Sequence, residues 1–234
     1  MRILAFESSA KAASAAILRD GVLEGESYLN CGQTHSSTLT KLAEDLLITC
    51  ALTVQDVDAV AVAAGPGSFT GIRIGVAAAK GFAWGRELPC FGVSTLEAMA
   101  VGCRHLDAAV CAVMDARRSQ VYNALFRARA GELERECPDR AVSLDELRAD
   151  LEKIENLTIL VGDGAELCYN TLGRDLPQLR LLPEHLRLQR ASNVALAAWP
   201  RYLAGERPSA GTLAPNYLRL SQAERERLER MKQS

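Results

Sequence analysis

Apolar runs and helical stripes alternate along the chain. Residues 2–6 form a short apolar run ending in Glu7-Ser8-Ser9. Residues 14–18 form a second, followed by Asp20-Gly21, a two-residue hairpin signal. Residues 22–28 read as a third strand, so the chain opens as an antiparallel meander. Thr34-His35-Ser36-Ser37 is a helix-start cluster, and Leu39, Leu42, Ala43, Leu46 and Leu47 then fall on one helical face. Residues 53–56 read as a short turn or helix start, 59–64 as a fully buried strand, 71–84 as a helix, 88–93 as a strand and 94–101 as the start of a helix.

Around His105-Leu106-Asp107 the pattern resets. Strands are expected at 109–114, 121–127, 157–161 and 179–182, with a turn at 131–133. Helices are expected at 143–152, 165–172 and 192–203. Residues 204–212 read as loop, 215–220 as extended chain, and 222–232 as a charged helix with a weak apolar face. Both halves begin with strands and then alternate helices and strands. The fold class is therefore α/β with mixed sheets, divided into lobes at 1–105 and 106–220 with a charged tail at 221–234.

Composition narrows the function classes. The 234 residues are 48% hydrophobic and 24% charged, which suits a globular chain of one large domain or two small ones. A net charge of −2 excludes a strong overall field for nucleic acid, and 5% aromatics argues against a stacking platform for single-stranded RNA. The seven cysteines are scattered without a CxxC pair and read as reduced thiols. The N-terminus starts directly in a strand-like run, and no run approaches the length of a membrane span. A cytoplasmic protein with no membrane partner is expected.

The segment Gly65-Pro66-Gly67-Ser68-Phe69-Thr70-Gly71 follows a buried strand and opens a helix. Glycines let backbone approach a ligand, and free N–H groups at a helix start attract phosphate or carboxylate. A tight strand-to-helix connection explains the same residues equally well. No Lys-Ser/Thr follows the turn, so it is not a P-loop, and its spacing departs from the dinucleotide-binding fingerprint. In the helix behind it, Gly71, Gly75 and Ala79 line one side and Ile74, Ala78 and Phe82 the neighbouring side. Glycine inside a helix costs up to about 1 kcal/mol against alanine, so something packs close there: the chain's own sheet or another chain.

Several motifs, in order, closely resemble the TsaB (YeaZ) family: residues 3–9, the GPGSFTGIR block at 65–73, Gly92-Val93-Ser94-Thr95-Leu96-Glu97, Met114-Asp115-Ala116-Arg117, Gly162-Asp163-Gly164 and Pro215-Asn216-Tyr217-Leu218-Arg219. The resemblance runs from Arg2 to Arg219, and the GPGSFTGIR block is its most specific part. It implies an actin/hexokinase-like (ASKHA) fold of two related lobes. It also implies a catalytic partner, TsaD, which transfers a threonylcarbamoyl group from an adenylate to an adenosine beside the tRNA anticodon, together with the ATPase TsaE.

The resemblance further implies a catalytically silent paralogue. TsaD-type chains carry an HxxxH pair after the Gly-Val step, whereas Thr95 and Met99 stand at those positions here. Threonine and thioether are poor ligands for a borderline divalent metal. His35, His105 and His185 form no ligand motif, so neither a metal nor catalytic residues are expected. Without HxxxH or HExxH, a metallopeptidase is disfavoured. Glu7 stands where many relatives have aspartate, which counts against a metal role.

A vestigial nucleotide cleft is expected from Glu7, Ser8, Gly65, Gly67, Ser68, Asp115, Arg117, Gly162 and Gly164. No cofactor is required by this chain, with ATP or ADP left to the complex. Asp115 reads either as the base of an ATP-dependent phosphotransferase or as a strand-end cap paired with Arg117 or Arg118. The partner surface is expected at His35, Leu39, Leu42, Leu46, Gly71, Arg73, Ile74, Gly75, Ala78, Ala79 and Phe82. On that expectation Gly75→Arg breaks partner binding and spares the fold. The same surface would pair two copies when TsaD is absent, and tRNA contact would be indirect or weak.

Overall fold

The computed structural model describes residues 1–117 and 119–219. The helix expected at 222–232, the charged tail and the candidate partner Arg118 lie outside them. The first sheet contains β1 (Arg2–Glu7), β2 (Ala13–Arg19), β3 (Val22–Leu29), β4 (Ala59–Gly65) and β5 (Cys90–Ser94), in the order β3-β2-β1-β4-β5. β1, β2 and β3 pair antiparallel, whereas β4 joins β1 and β5 joins β4 in parallel. Asp20 and Gly21 take φ of 50° and 81°, the left-handed pair that a tight hairpin needs.

The second sheet repeats this plan. It contains β6 (Ala109–Asp115), β7 (Gln120–Arg129), β8 (Glu132–Arg135), β10 (Thr158–Val161) and β11 (Leu179–Leu181) in the order β11-β10-β6-β7-β8. β9 (Arg140–Ser143) pairs with β7 off this path. Again an antiparallel meander comes first and two parallel strands follow it on the other side. Residues 132 and 133, expected in a turn, lie in β8, and β9 was not anticipated. Both are only four residues long, and β8 is mostly charged, so neither offers enough alternation to mark a half-buried strand.

The helices are α1 (His35–Thr49), α2 (Phe69–Trp84), α3 (Thr95–Val101), α4 (Leu144–Leu151), α5 (Ala165–Leu172), α6 (Glu184–Arg187) and α7 (Ala191–Leu203). β1 is apolar from Ile3 to Phe6 because both faces of its sheet are covered. Leu4 and Phe6 pack with α1 and α2, and Ile3 and Ala5 pack with α7. In the second sheet, Cys111 and Val113 face α4 and α5, whereas Val110, Ala112 and Met114 face α3.

The division at 105/106 does not hold for α7. This helix returns to the first sheet, and α3 packs on the second, so the two lobes exchange their last helices. The first turn of α7 explains its seat. Its N-cap position, Arg190, supplies no side-chain cap. Instead Ser14 of β2 accepts the Ala191 amide at 2.8 Å, and Glu26 of β3 accepts the Ser192 amide at 3.1 Å and its hydroxyl at 3.0 Å. Arg190 closes the joint by donating Nη2 to Glu26 Oε2 at 2.8 Å. The contact is rich in small residues, including Ala5, Ala16, Ala59 and Ala61 on the strands and Ala195 and Ala198 on the helix, which lets helix and sheet approach closely.

Candidate functional site

A cleft of about 550 Å³ opens between the lobes. Its first-lobe wall comes from Ser9, Lys11 and the turn 67–70, and its second-lobe wall from residues 114–117, Tyr122 and Asp163, with Arg219 at the rim. Of the nine expected cleft residues, the structure brings Gly67, Ser68, Asp115 and Arg117 to this lining.

The other five serve the chain's own packing. Glu7 is fully buried at the end of β1. Its Oε1 accepts the Ser9 amide at 2.6 Å, while Oε2 meets no partner among the described residues. Burial pushes its carboxyl up to about 7, against the lowering effect of Ser9, and the Asp163 carboxylate raises it further. Ser8 donates its hydroxyl to the Gly71 carbonyl at 2.9 Å. Gly65 lies beneath the Asn216 carbonyl, which a Cβ there would meet at 2.3 Å. Gly162 and Gly164 fit the β10–α5 turn against β6, with Cβ clearances of 2.0 Å to the Val113 carbonyl oxygen and 2.8 Å to the Met114 carbonyl carbon. These four glycine and serine positions are close approaches of protein to protein.

The reading of Asp115 as a strand-end cap agrees with its geometry: Oδ1 accepts the Arg117 amide at 2.7 Å. Ser9, Lys11, Asp163 and Arg219 also line the cleft and are not among the nine expected residues, although Ser9, Asp163 and Arg219 lie within the motifs quoted above. Asp163 sat in plain view between Gly162 and Gly164. The other three come together only through the tertiary fold. Asp163 accepts from Gln189 Nε2 at 2.7 Å, and burial holds its carboxyl above its ordinary value.

Residues at the metal positions of the catalytic sister are core here. Met99 is 1% exposed within the α3 contact on the second sheet, and Thr95 Oγ1 is buried without a partner. Among the described residues no cluster of three His, Cys, Asp or Glu is placed to hold a metal. Burial raises the thiols of Cys90 and Cys103 to about 11 and that of Cys168 to about 12, which makes them poor nucleophiles.

The expected partner surface divides in two. Leu39, Leu46, Gly71, Gly75 and Ala79 are buried in the chain's own first lobe, which corrects their assignment to an intermolecular contact. A Cβ on Gly71 would lie 2.0 Å from the Ser8 carbonyl oxygen, and one on Gly75 would lie 2.6 Å from the Ser8 hydroxyl. The small-residue stripe therefore seats α2 on the end of β1 and on Val62 of β4. His35 is also tied inward, donating from Nε2 to the Ala10 carbonyl at 2.7 Å. Exposed or half-exposed are Leu42 of α1 and Arg73, Ile74, Ala78 and Phe82 of α2, next to exposed Ala77 and Gly81. They form a narrow, mostly apolar edge.

Two lobes with the same mixed-sheet order, a cleft between them and exchanged last helices define a protein of the actin/hexokinase-like class. A hexokinase of the ROK type from Thermus thermophilus shares this fold, with a TM-score of 0.50, 11% identity, and coverage of 88% of this chain and 100% of that one. The chain belongs to the TsaB (YeaZ) family. The tRNA threonylcarbamoyladenosine biosynthesis protein TsaB of Bacillus subtilis is 32% identical over 99% of this chain and 100% of its own length. The Escherichia coli TsaB is 41% identical over 54% of this chain and 55% of its own. YeaZ from Pseudomonas aeruginosa superposes with a TM-score of 0.73 at 25% identity, over 93% of this chain and 99% of that one. The family model for TsaD, tRNA N6-adenosine threonylcarbamoyltransferase, matches residues 30–226. Among the described residues no helix is long and apolar enough to cross a membrane.

Proposed function

We propose that this chain is a non-catalytic subunit that binds a TsaD-type transferase and supports its formation of threonylcarbamoyladenosine in tRNA, next to the anticodon. The observation that carries the reading is the full-length likeness to TsaB, joined to the uncovered edge of α1 and α2. Apolar side chains left partly in water along one helical edge favour burial against a partner. Catalytic silence is supported by the core roles of Thr95 and Met99 and by the engagement of Asp115 with its own turn.

In this reading the chain works in the cytoplasm without a cofactor of its own, and ATP is handled in the complex, with a TsaE-type ATPase as third member. In the absence of TsaD the same edge pairs two copies. The test is a pull-down with the TsaD-type subunit followed by an assay of tRNA modification with and without this chain. Modification unchanged by its omission, or hydrolysis of ATP by the isolated chain that disappears in Asp115→Ala, overturns the proposal.

A further inference from the structure

The segment 213–219 runs from one lobe to the other along the mouth of the cleft. It starts in the first lobe, where Leu213 is buried with the α1–α2 core. The Asn216 amide then donates to the Ala64 carbonyl at 2.7 Å, and its own carbonyl lies over Gly65. The Tyr217 ring stacks on Phe69 of α2, with centroids 4.0 Å apart and planes 12° from parallel. Arg73 closes that stack from the next helical turn. Its Nε donates to the Tyr217 hydroxyl at 2.8 Å, and its guanidinium lies 4.2 Å from the Phe69 centroid. Two residues further on, Arg219 reaches the second lobe and donates Nη1 to the Ala116 carbonyl at 2.7 Å.

We infer that residues 213–219 are a strap that holds the cleft mouth at its observed width and links it to the exposed edge of α2. The Phe69–Tyr217–Arg73 stack is the fixed end. The bond to Ala116 is the far end, on the loop that forms the second-lobe wall. Arg73 belongs both to the stack and to the edge assigned to the partner, so a body docking there pulls on the strap and moves the wall at 115–117. This linkage rests on the docking proposed above, whereas the strap itself does not.

Hydrogen exchange on the full chain tests both. Arg219→Ala and Tyr217→Ala are expected to speed exchange about fivefold at cleft residues 9–11 and 115–117, the effect of losing roughly one surface hydrogen bond or stacked pair. Exchange in β3 and α5 stays unchanged, and Tyr217→Phe, which keeps the ring, stays near wild type. Faster exchange confined to 213–219 overturns the strap. Arg219 touches a surface carbonyl, so its variant keeps the test intact if Tyr217→Ala fails to fold. Adding the TsaD-type subunit is expected to alter exchange at 115–117 in the wild type and not in Arg219→Ala. Binding that leaves 115–117 unmoved in the wild type overturns the linkage. A complete absence of binding instead sinks the docking reading, and the linkage with it, and leaves the result on the strap standing.

Discussion

Ser8 and Gly71 are joined at 2.9 Å, hydroxyl to carbonyl, and this contact decides which way α2 faces. The carbonyl of Ser8 occupies the space that any side chain on residue 71 would need. Gly71→Ala is therefore expected to destabilise by about 3 kcal/mol, because backbone must move, outweighing the ~1 kcal/mol helical advantage of alanine. Gly81, on the same helix, has nothing within 4 Å of its Cβ position. Gly81→Ala should stabilise by about 0.5–1 kcal/mol. Urea unfolding midpoints of the two variants should move in opposite directions.

The seat of α7 makes a second prediction. Glu26 accepts from Ser192 and Arg190 together, so it serves as the cap that the helix lacks in its own sequence. Glu26→Ala should destabilise by about 2 kcal/mol, the sum of a lost cap and an unpaired, part-buried guanidinium. Glu26→Gln, which keeps the acceptor oxygen, should lose less. If the two variants unfold at the same urea concentration, the ionic contact to Arg190 and not the cap carries the joint.

Much of the fold could be read in advance from periodicity. Continuous apolar runs marked β1, β4 and β6, because both faces of each are covered, and the one-sided stripe of Leu39, Ala43, Leu46 and Leu47 marked α1. α4 falls within the helix expected at 143–152, and Ser143 with Glu146 forms its reciprocal capping pair. Legibility stopped where the outcome depended on a distant partner. The alanines of α7 would fit any flat apolar surface, and nothing local says that Ser14 and Glu26 wait for them. Likewise a Gly71–Gly75–Ala79 stripe says that something comes close without saying what. The candidate site was half legible for the same reason: the loops that bound the cleft are marked by glycines, but Lys11 and Arg219 reach it only through folding.

Glu7 supplies a prediction in pH. Its carboxyl titrates near 4.5 in the unfolded chain and at about 7 when buried. Between those values the folded protein holds a proton that the unfolded chain has released. Stability from this group is thus fully present below the lower value and declines as pH rises through the upper one, by roughly 3 kcal/mol in all. Glu7→Gln, neutral at every pH and similar in shape, should flatten that decline and be the more stable protein at pH 8. Unfolding free energies measured between pH 5 and 8 check this. Parallel curves for the two proteins would show that Glu7 does not titrate in that range.

The docking edge requires a different probe from the one the glycine stripe first suggests. Gly75→Arg would drive a side chain into Ser8 and Val62, since even a Cβ lies 2.6 Å from the Ser8 hydroxyl. Lost binding in that variant would report a damaged lobe. Ile74 is the neighbouring residue, half-exposed, and it packs only in part against the first-lobe core. A charge introduced there is tolerated by the free chain and must be desolvated in a complex. Ile74→Glu is expected to weaken association with the TsaD-type subunit by about thirtyfold, near 2 kcal/mol, with little change in melting temperature. Leu167, exposed on α5 of the second lobe, is the matched control, and Leu167→Glu should bind as the wild type does. Calorimetric titration of both variants separates the outcomes. Equal affinity for Ile74→Glu and the wild type would move the interface off α2, and equal weakening by both variants would mean that added negative charge, not burial of this edge, governs the association.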